Sequence, residues 1–369
     1  MALTVVHVAS GDLWAGAEVQ LHALVCGLQA FPEVRTHVVL LNDGELAARV
    51  RSAGIGTTIL DEGRLNTLRL IGDLREVLVR VRADVVHTHR TKENVIGAIA
   101  ALTAGIPSIR TSHGAPEHAK KAYSRARIGA TIDAAIARHV QKKVVAVSDD
   151  LAASLRLQFG AERVACIPNG IDPTVVRSAA ASGVAPVLMG TNRVGFVGRL
   201  VQVKRLDLFL RAAQICHLGA PDAFRFYIIG DGPLRAELEV QARALGLESV
   251  CEFLGFQPNC LPIMAHLDAL VFTSDHEGLP MAALEALALG VPVVAHAVGG
   301  LPELIDSGAR GHLVTEQDPE HYAAGIRRVL ASRSPRAGAT SLLPEAFLLE
   351  ACCRRYVALY QELRGSQRG

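Results

Sequence analysis

Two α/β domains, each a parallel sheet wound by helices on both faces, are the fold class the sequence predicts. Three observations carry this. The chain has 369 residues, too many for one ordinary core and suited to two domains of roughly 180 residues each. Short β-branched runs recur at intervals that leave room for a helix. The alternation then pauses and restarts near Arg193.

The first series runs Val5 to Ala9, Thr36 to Leu41, Val85 to Thr88, Ser108 to Ser112 and Lys143 to Ser148. Between the runs lie helical spacings, such as Glu18, Leu21, Leu24, Val25 and Leu28 after Gly16. The strand runs lack a polar face, so both sides of the sheet are expected to be covered, as in a parallel, doubly wound arrangement. The second series comprises Val194 to Val197, Arg225 to Ile229, Cys251 to Leu254, Ala269 to Thr273 and Val291 to Ala295. Between the two, Arg177 to Asn192 is rich in small residues and short on helix caps, and the linker is placed there. The resulting domains are residues 1–183 and 184–344, followed by a closing amphipathic helix in 345–369 that is expected to cross back to the first domain.

The chain is 50% hydrophobic, 20% charged and only 4% aromatic, which supplies a large aliphatic core and argues against disorder. Its 38 basic and 36 acidic residues leave +2, so no nucleic acid partner is expected. Seven cysteines without a CxxC pair read as buried thiols in a reducing compartment, the cytoplasm. The opening residues carry no secretory pattern, and the apolar stretch Met281 to Ala297 is interrupted by Glu285, Gly290, Pro292 and His296, so neither export nor a membrane span is expected. Basic residues concentrate in 118–143, where Lys120, Lys121, Arg125, Arg127, Arg138, Lys142 and Lys143 flank Ile128, Ile132 and Ile136. A solvated helix face is the first reading, and peripheral contact with an anionic membrane the second.

The segment Thr273 to Glu303 carries the chemistry. From Pro280 to Val294 its only ionisable residue is Glu285, set among Met281, Leu284, Leu287 and Leu289. A carboxylate on so apolar a helix needs a partner, and a polar ligand is the natural one. Pro280 suits the first helical position, which leaves Glu277, Gly278 and Leu279 as a loop whose backbone N–H groups favour an anion such as a phosphate. In Val194 to Lys204, Gly195 and Gly198 permit close backbone approach, and Arg199 and Lys204 follow a strand's carboxyl end, where open α/β sheets bind ligands. Gly230, Asp231, Gly232 and Pro233, with Gly255 and Phe256, add two further loops to that edge.

In the order and spacing of these motifs the chain resembles the family 4 retaining glycosyltransferases of GT-B fold over nearly its whole length. The E-x7-E element matches Glu277 and Glu285, and G-x-x-G-R-L-x-x-x-K matches Gly195, Gly198, Arg199, Leu200 and Lys204. G-D-G-P matches Gly230 to Pro233, and P-N-G-[IV]-D matches Pro168 to Asp172. The resemblance implies two Rossmann-like domains facing a central cleft, with Arg199 and Lys204 clamping the diphosphate of a nucleotide sugar. It implies that Glu285 binds the ribose hydroxyls and that Glu277, with Gly278, Leu279 and Pro280, holds the transferred sugar. Gly16 resembles the family's G-G-x-E turn near the diphosphate, although Ala15 stands where the first glycine is usual. His113, in TSHG, matches the family's histidine beside the sugar.

His87 and His89, in HTHR, sit at another strand end and are assigned to the acceptor. Their spacing of two is expected to place them on opposite faces, and neither is expected to hold a metal. Asp149 and Asp150 form no D-x-D, so neither metal nor cofactor is expected, and the implied reaction is metal-independent transfer from the nucleotide sugar to a glycan or lipid-linked acceptor. By family analogy this belongs to bacterial cell-envelope or extracellular polysaccharide synthesis, at the inner face of the membrane. The alternatives are a nucleotide-sugar 2-epimerase and a noncatalytic nucleotide-sugar-binding partner. A dinucleotide dehydrogenase is a poorer third, since no G-x-G-x-x-G follows the first strand.

Overall fold

The computed structural model describes residues 2–11, 14–114, 124–184, 186–221, 223–305, 308–332 and 341–365, without the side chains of 124–128 and 130. Lys120 and Lys121 of the basic segment therefore lie outside the described residues, as do the side chains of Arg125, Arg127 and Ile128. Among the described residues the chain forms two compact units: 1–170 with 349–369, and 171–348.

The first unit holds a seven-stranded sheet. In chain order its strands are β1 (Leu3–Ala9), β2 (Val34–Leu40), β3 (Gly56–Ile59), β4 (Val85–Thr88), β5 (Ser108–Ser112), β6 (Lys143–Ala146) and β7 (Val164–Cys166). They pair in parallel in the order β3-β2-β1-β4-β5-β6-β7. β1 is buried at every position because its alternate residues serve different cores. Val6 and Val8 pack with Leu70, Leu74 and Leu78 of the helix Thr67–Arg80. Leu3 and Val5 pack with Leu24 and Leu28, and with Tyr356 and Tyr360 of the closing helix Leu349–Gly365. That arrangement is the physical origin of the missing polar face in the strand runs.

The second unit holds a six-stranded sheet. Its strands are β8 (Asn192–Val197), β9 (Phe224–Ile229), β10 (Cys251–Gly255), β11 (Ala269–Phe272), β12 (Val293–His296) and β13 (Gly311–Val314). Their order is β10-β9-β8-β11-β12-β13, again parallel. In each unit the order reverses beside the first strand, between β1 and β4 and between β8 and β11. That reversal opens a crevice at the strands' carboxyl ends, the usual ligand position in such sheets.

Three strands were not foreseen: β3, β7 and β13, each of three or four residues and each at the edge of its sheet. An edge strand needs no continuous apolar run, and β3 is exposed or half-buried throughout. The unit boundary also differs from the linker placed at Arg177 to Asn192. It falls at Gly170, because Pro173–Ser182 is a helix of the second unit. Asp172 caps that helix by accepting from the Thr174 N–H at 2.8 Å and the Val175 N–H at 3.4 Å, and Pro173 opens it. The helix packs on Leu261–Met264, where a Cβ on Gly183 would meet Pro262 Cγ at 2.3 Å. Among the described residues no helix is long and apolar enough to cross a membrane.

Candidate active site

In the second unit the carboxyl ends of β8, β9, β10 and β11 lead into the loops that carry Gly198 to Lys204, Gly230 to Pro233, Phe256 and Thr273 to Pro280. Backbone contacts lock these loops together. Gly198 N–H donates to Ile229 O at 3.0 Å and Leu200 N–H to Asp231 O at 3.0 Å. Gly230 has φ +138, and a Cβ there would lie 1.9 Å from Gly198 O, so only glycine fits. The Lys204 turn is tied to the end of β11 in the same way, by Asp275 N–H to Val203 O at 2.8 Å and Thr273 Oγ1 to Lys204 O at 2.8 Å.

These ties hold Lys204 Nζ 2.7 and 2.9 Å from the two carboxylate oxygens of Glu277. Ser274 Oγ donates to the same carboxylate at 2.6 Å. The ion pair is largely buried, with the Glu277 side chain 7% and the Lys204 side chain 19% exposed. Behind Glu277, Gly278 O accepts from Gly300 N–H at 2.6 Å, and a Cβ on Gly299 would lie 2.0 Å from Glu277 O. The loop before the helix Met281–Ala288 is thus shaped by the turn after β12. Pro280 is the N-cap residue, with ψ 126, and the helix begins one position later than the sequence suggested.

Glu285 lies on that helix, half-buried, and has no hydrogen-bond or ion-pair partner among the described residues. Burial pushes its carboxyl up to about 7. Phe256, in the loop after β10, is 57% exposed. Asp231 instead turns to its own loop, accepting from Gly232 N–H at 2.7 Å and pairing with Arg235 at 3.1 Å. Arg199 is exposed.

In the first unit the helix Gly16–Leu28 starts just after the end of β1. Ala15 is its N-cap at φ −138 and ψ −175, a conformation open to any residue, so the alanine in place of glycine does not disturb the turn. A Cβ on Gly16 would meet nothing within 4 Å. Glu18, 3% exposed, accepts from Ala15 N–H at 3.1 Å and pairs with Arg90.

Beside them His7, His87 and His89 cluster with their ring centroids mutually 4.3–5.4 Å apart, and His113 stacks next to His89. Ring centroids of His87 and His89 are 4.3 Å apart, and those of His89 and His113 5.9 Å. His87 and His89 share a face, contrary to the expectation, because residues two apart on a strand point the same way. His87 Nδ1 bonds Tyr360 Oη at 2.8 Å and its Nε2 bonds Thr111 Oγ1 at 2.7 Å. With no exposed surface and both nitrogens engaged, it has no atom left for an acceptor. His7 Nδ1 and His89 Nε2 lie 3.1 Å apart, while His7 Nε2, His89 Nδ1 and His113 Nε2 are buried without a partner. The ligand atoms of His7, His87 and His89 lie within 4.8 Å of one another, a set that could hold a metal ion, so the face argument against a metal fails. The commitment of His87 to two hydroxyls makes the group first of all a hydrogen-bond network.

The comparisons bear directly on these two edges. A model of Glycosyltransferase Family 4 matches residues 14–175, and one of Glycosyl transferases group 1 matches 191–332. This chain belongs to glycosyltransferase family 4. The D-inositol 3-phosphate glycosyltransferase of Geodermatophilus obscurus is 31% identical over 303 residues, covering 75% of this chain and 66% of the relative. An Escherichia coli enzyme named UDP-Gal:alpha-D-GlcNAc-diphosphoundecaprenol alpha-1,3-galactosyltransferase is 27% identical over 290 residues, 76% of this chain and 75% of its own. Anabaena HepE, solved in complex with UDP and glucose, superposes with a TM-score of 0.79 at 23% identity, covering 97% of this chain and 99% of that one. The architecture is GT-B, two Rossmann-like units, and the protein is an enzyme. The epimerase reading gains no support.

In this family 4 glycosyltransferase the structure joins Lys204 to Glu277 and ties the loops of Gly198, Gly230 and Gly232 into one sheet edge. Asp231 bonds within its own loop, and both ring nitrogens of His87 are engaged by Tyr360 and Thr111. Three residues escaped the sequence reading: Arg90, His7 and Ser274. His7 lies two residues before the end of β1, so its position carried a signal. Ser274 and Arg90 carried none, because their roles depend on which loop lies opposite.

Electrostatically the two edges differ. The first is neutral: burial holds His113 down to about 4, helped by nearby Arg90, and lowers His7 to about 3. His87 and His89 are likewise held well below the usual range, by burial first and then by the neighbouring histidines, His7 and His113 acting on both. The second edge offers cations and one carboxyl that ionises only near neutrality.

Proposed function

We propose that this glycosyltransferase moves a sugar from a nucleotide-diphosphate sugar to a glycan or lipid-linked acceptor, with retention at the anomeric carbon and without a metal. The observation that carries the donor assignment is the unpartnered Glu285 on the same sheet edge as the Lys204–Glu277 pair. A half-buried carboxyl without a protein partner is stabilised by ligand hydroxyls, and a cation held on a carboxylate is positioned in advance for an incoming diphosphate. As the bond from the anomeric carbon to the diphosphate oxygen stretches, Lys204 and Arg199 take up the negative charge that develops on the leaving group. Removing one such contact lowers the rate by about 10² to 10³.

Glu277, released in part as Lys204 turns to the phosphate, holds hydroxyls of the sugar. Gly16, with open space where its Cβ would point, permits close approach of the donor. No described residue stands out as a covalent nucleophile, which favours attack from the face the diphosphate leaves, its oxygen taking the acceptor proton. A histidine held to about 4 is a poor base for an alcohol, so His113 positions the sugar.

UDP is the favoured nucleotide, since the Escherichia coli relative is named for UDP-Gal and HepE was solved with UDP. The same relative's name includes a diphosphoundecaprenol acceptor, which favours lipid-linked acceptors and envelope polysaccharide, and work at the cytoplasmic face of the inner membrane. The deciding experiment screens UDP- and GDP-sugars for thermal stabilisation, then follows nucleotide release on adding a lipid-linked acceptor. Undiminished turnover in Lys204→Ala or Glu285→Ala refutes the donor assignment. An inverted product refutes retention, and full loss of activity in EDTA refutes metal independence.

A further inference from the structure

A cavity of about 930 Å³ opens at the amino-terminal edge of the first sheet, opposite the strand ends that carry the histidines. Its walls come from the first residues of β1, β2 and β3 and from the turn after the helix Thr67–Arg80. Arg35, Arg80 and Arg82 line it, and no carboxylate does. Arg35 donates from Nη2 to Thr4 Oγ1 and to Val81 O, both at 3.1 Å. Those acceptors are uncharged, so they fix the guanidinium without neutralising it. Among the described residues Arg80 and Arg82 have no ion-pair partner. His37 beside them is lowered by burial and by Arg80 and Arg35, so it enters as a neutral hydrogen-bonding ring.

The carbonyl end of the helix Thr67–Arg80 accounts for a preference for cations at Arg80 and Arg82. It does not account for Arg35, which comes from a neighbouring strand. Three arginines line one cavity whose walls hold no carboxylate among the described residues, and each guanidinium has the planar, forked geometry that binds phosphate oxygens two at a time. We propose that this cavity binds the phosphate or diphosphate group of a molecule other than the sugar donor, at a site separate from the chemistry.

The group could belong to a soluble phosphorylated compound or to an anionic lipid, and the test separates the two. The full chain carrying Arg199→Ala and Lys204→Ala, which removes the expected donor phosphate contacts, is titrated with inorganic diphosphate by calorimetry. The same protein is sedimented with vesicles of phosphatidylglycerol or of phosphatidylcholine. Arg80→Gln with Arg82→Gln is then added; both side chains are exposed and unpaired, so the fold does not depend on them, which circular dichroism checks. Binding of diphosphate that weakens at least about tenfold in this variant, the loss of one or two charge-assisted hydrogen bonds, supports the site. Diphosphate binding without vesicle capture assigns a soluble ligand. Capture by phosphatidylglycerol alone, abolished in the variant, assigns a lipid phosphate. Absence of both, or binding unchanged in the variant, overturns the proposal.

Discussion

At Glu285 one side chain links stability, pH and donor affinity. Its carboxyl titrates near 7 in the folded protein against 4.5 in the open chain, because burial disfavours the charged form. Between those values the folded state holds a proton that the unfolded state has lost, so stability falls as pH rises through that window and is fully present only below it. The loss reaches at most about 3 kcal/mol. Glu285→Gln is expected to remove this dependence, read as urea midpoints of the second unit at pH 5 and pH 8. Ligand hydroxyls favour the ionised form, so donor affinity is expected to rise with pH up to about 7 and to be flat in the variant. Calorimetry in buffers of different ionisation enthalpy would detect the released proton. Lys204→Ala leaves the buried Glu277 carboxylate with only Ser274, and it is expected to lower turnover by about 10² to 10³ and also to lower the melting temperature of the second unit. The histidines show how much depends on one geometric step: two residues apart on a strand means one face, and from HTHR that places His87 and His89 together.

The elements of the proposed donor edge are short loops that support one another rather than stand alone. Gly230 is needed because another backbone crosses it, and Gly299 because Glu277 O does. Gly230→Ala is expected to destabilise the second unit by about 2–3 kcal/mol, since the obstruction is backbone and cannot rotate away. An equal melting temperature would show that the loops are free to part. The motif residues Gly198, Gly230 and Lys204 were legible in the sequence. Their reasons were not, because the glycines serve loop-to-loop contact where the sequence suggested room for ligand. The misplaced linker has a local cause: Asp172 and Pro173 form a cap and first turn, but small residues and glycine further on looked like a flexible joint. β3 and β7 escaped notice because edge strands half-open to solvent need no apolar signature.

Across the whole molecule, the chain's last helix belongs to its first unit. Leu349–Gly365 buries Cys352, Cys353, Tyr356 and Tyr360 against Leu3, Val5 and Val85, and Tyr360 reaches His87 at 2.8 Å. Ending the chain at Leu348 is expected to unfold the first unit while 171–348 keeps a cooperative transition of its own, as separate calorimetric peaks would show. A first unit unaffected by the truncation would mean that the helix only covers the sheet. By itself the sequence determined the central strands and the two-unit α/β plan, because apolar runs are local and repeat along the chain. Only the tertiary structure decided the pairing of Lys204 with Glu277, the histidine cluster and the arginine-lined cavity, each a meeting of residues tens or hundreds of positions apart. It also decided that, among the described residues, no partner stands opposite Glu285, because whether a charge is paired depends on what the fold sets opposite it.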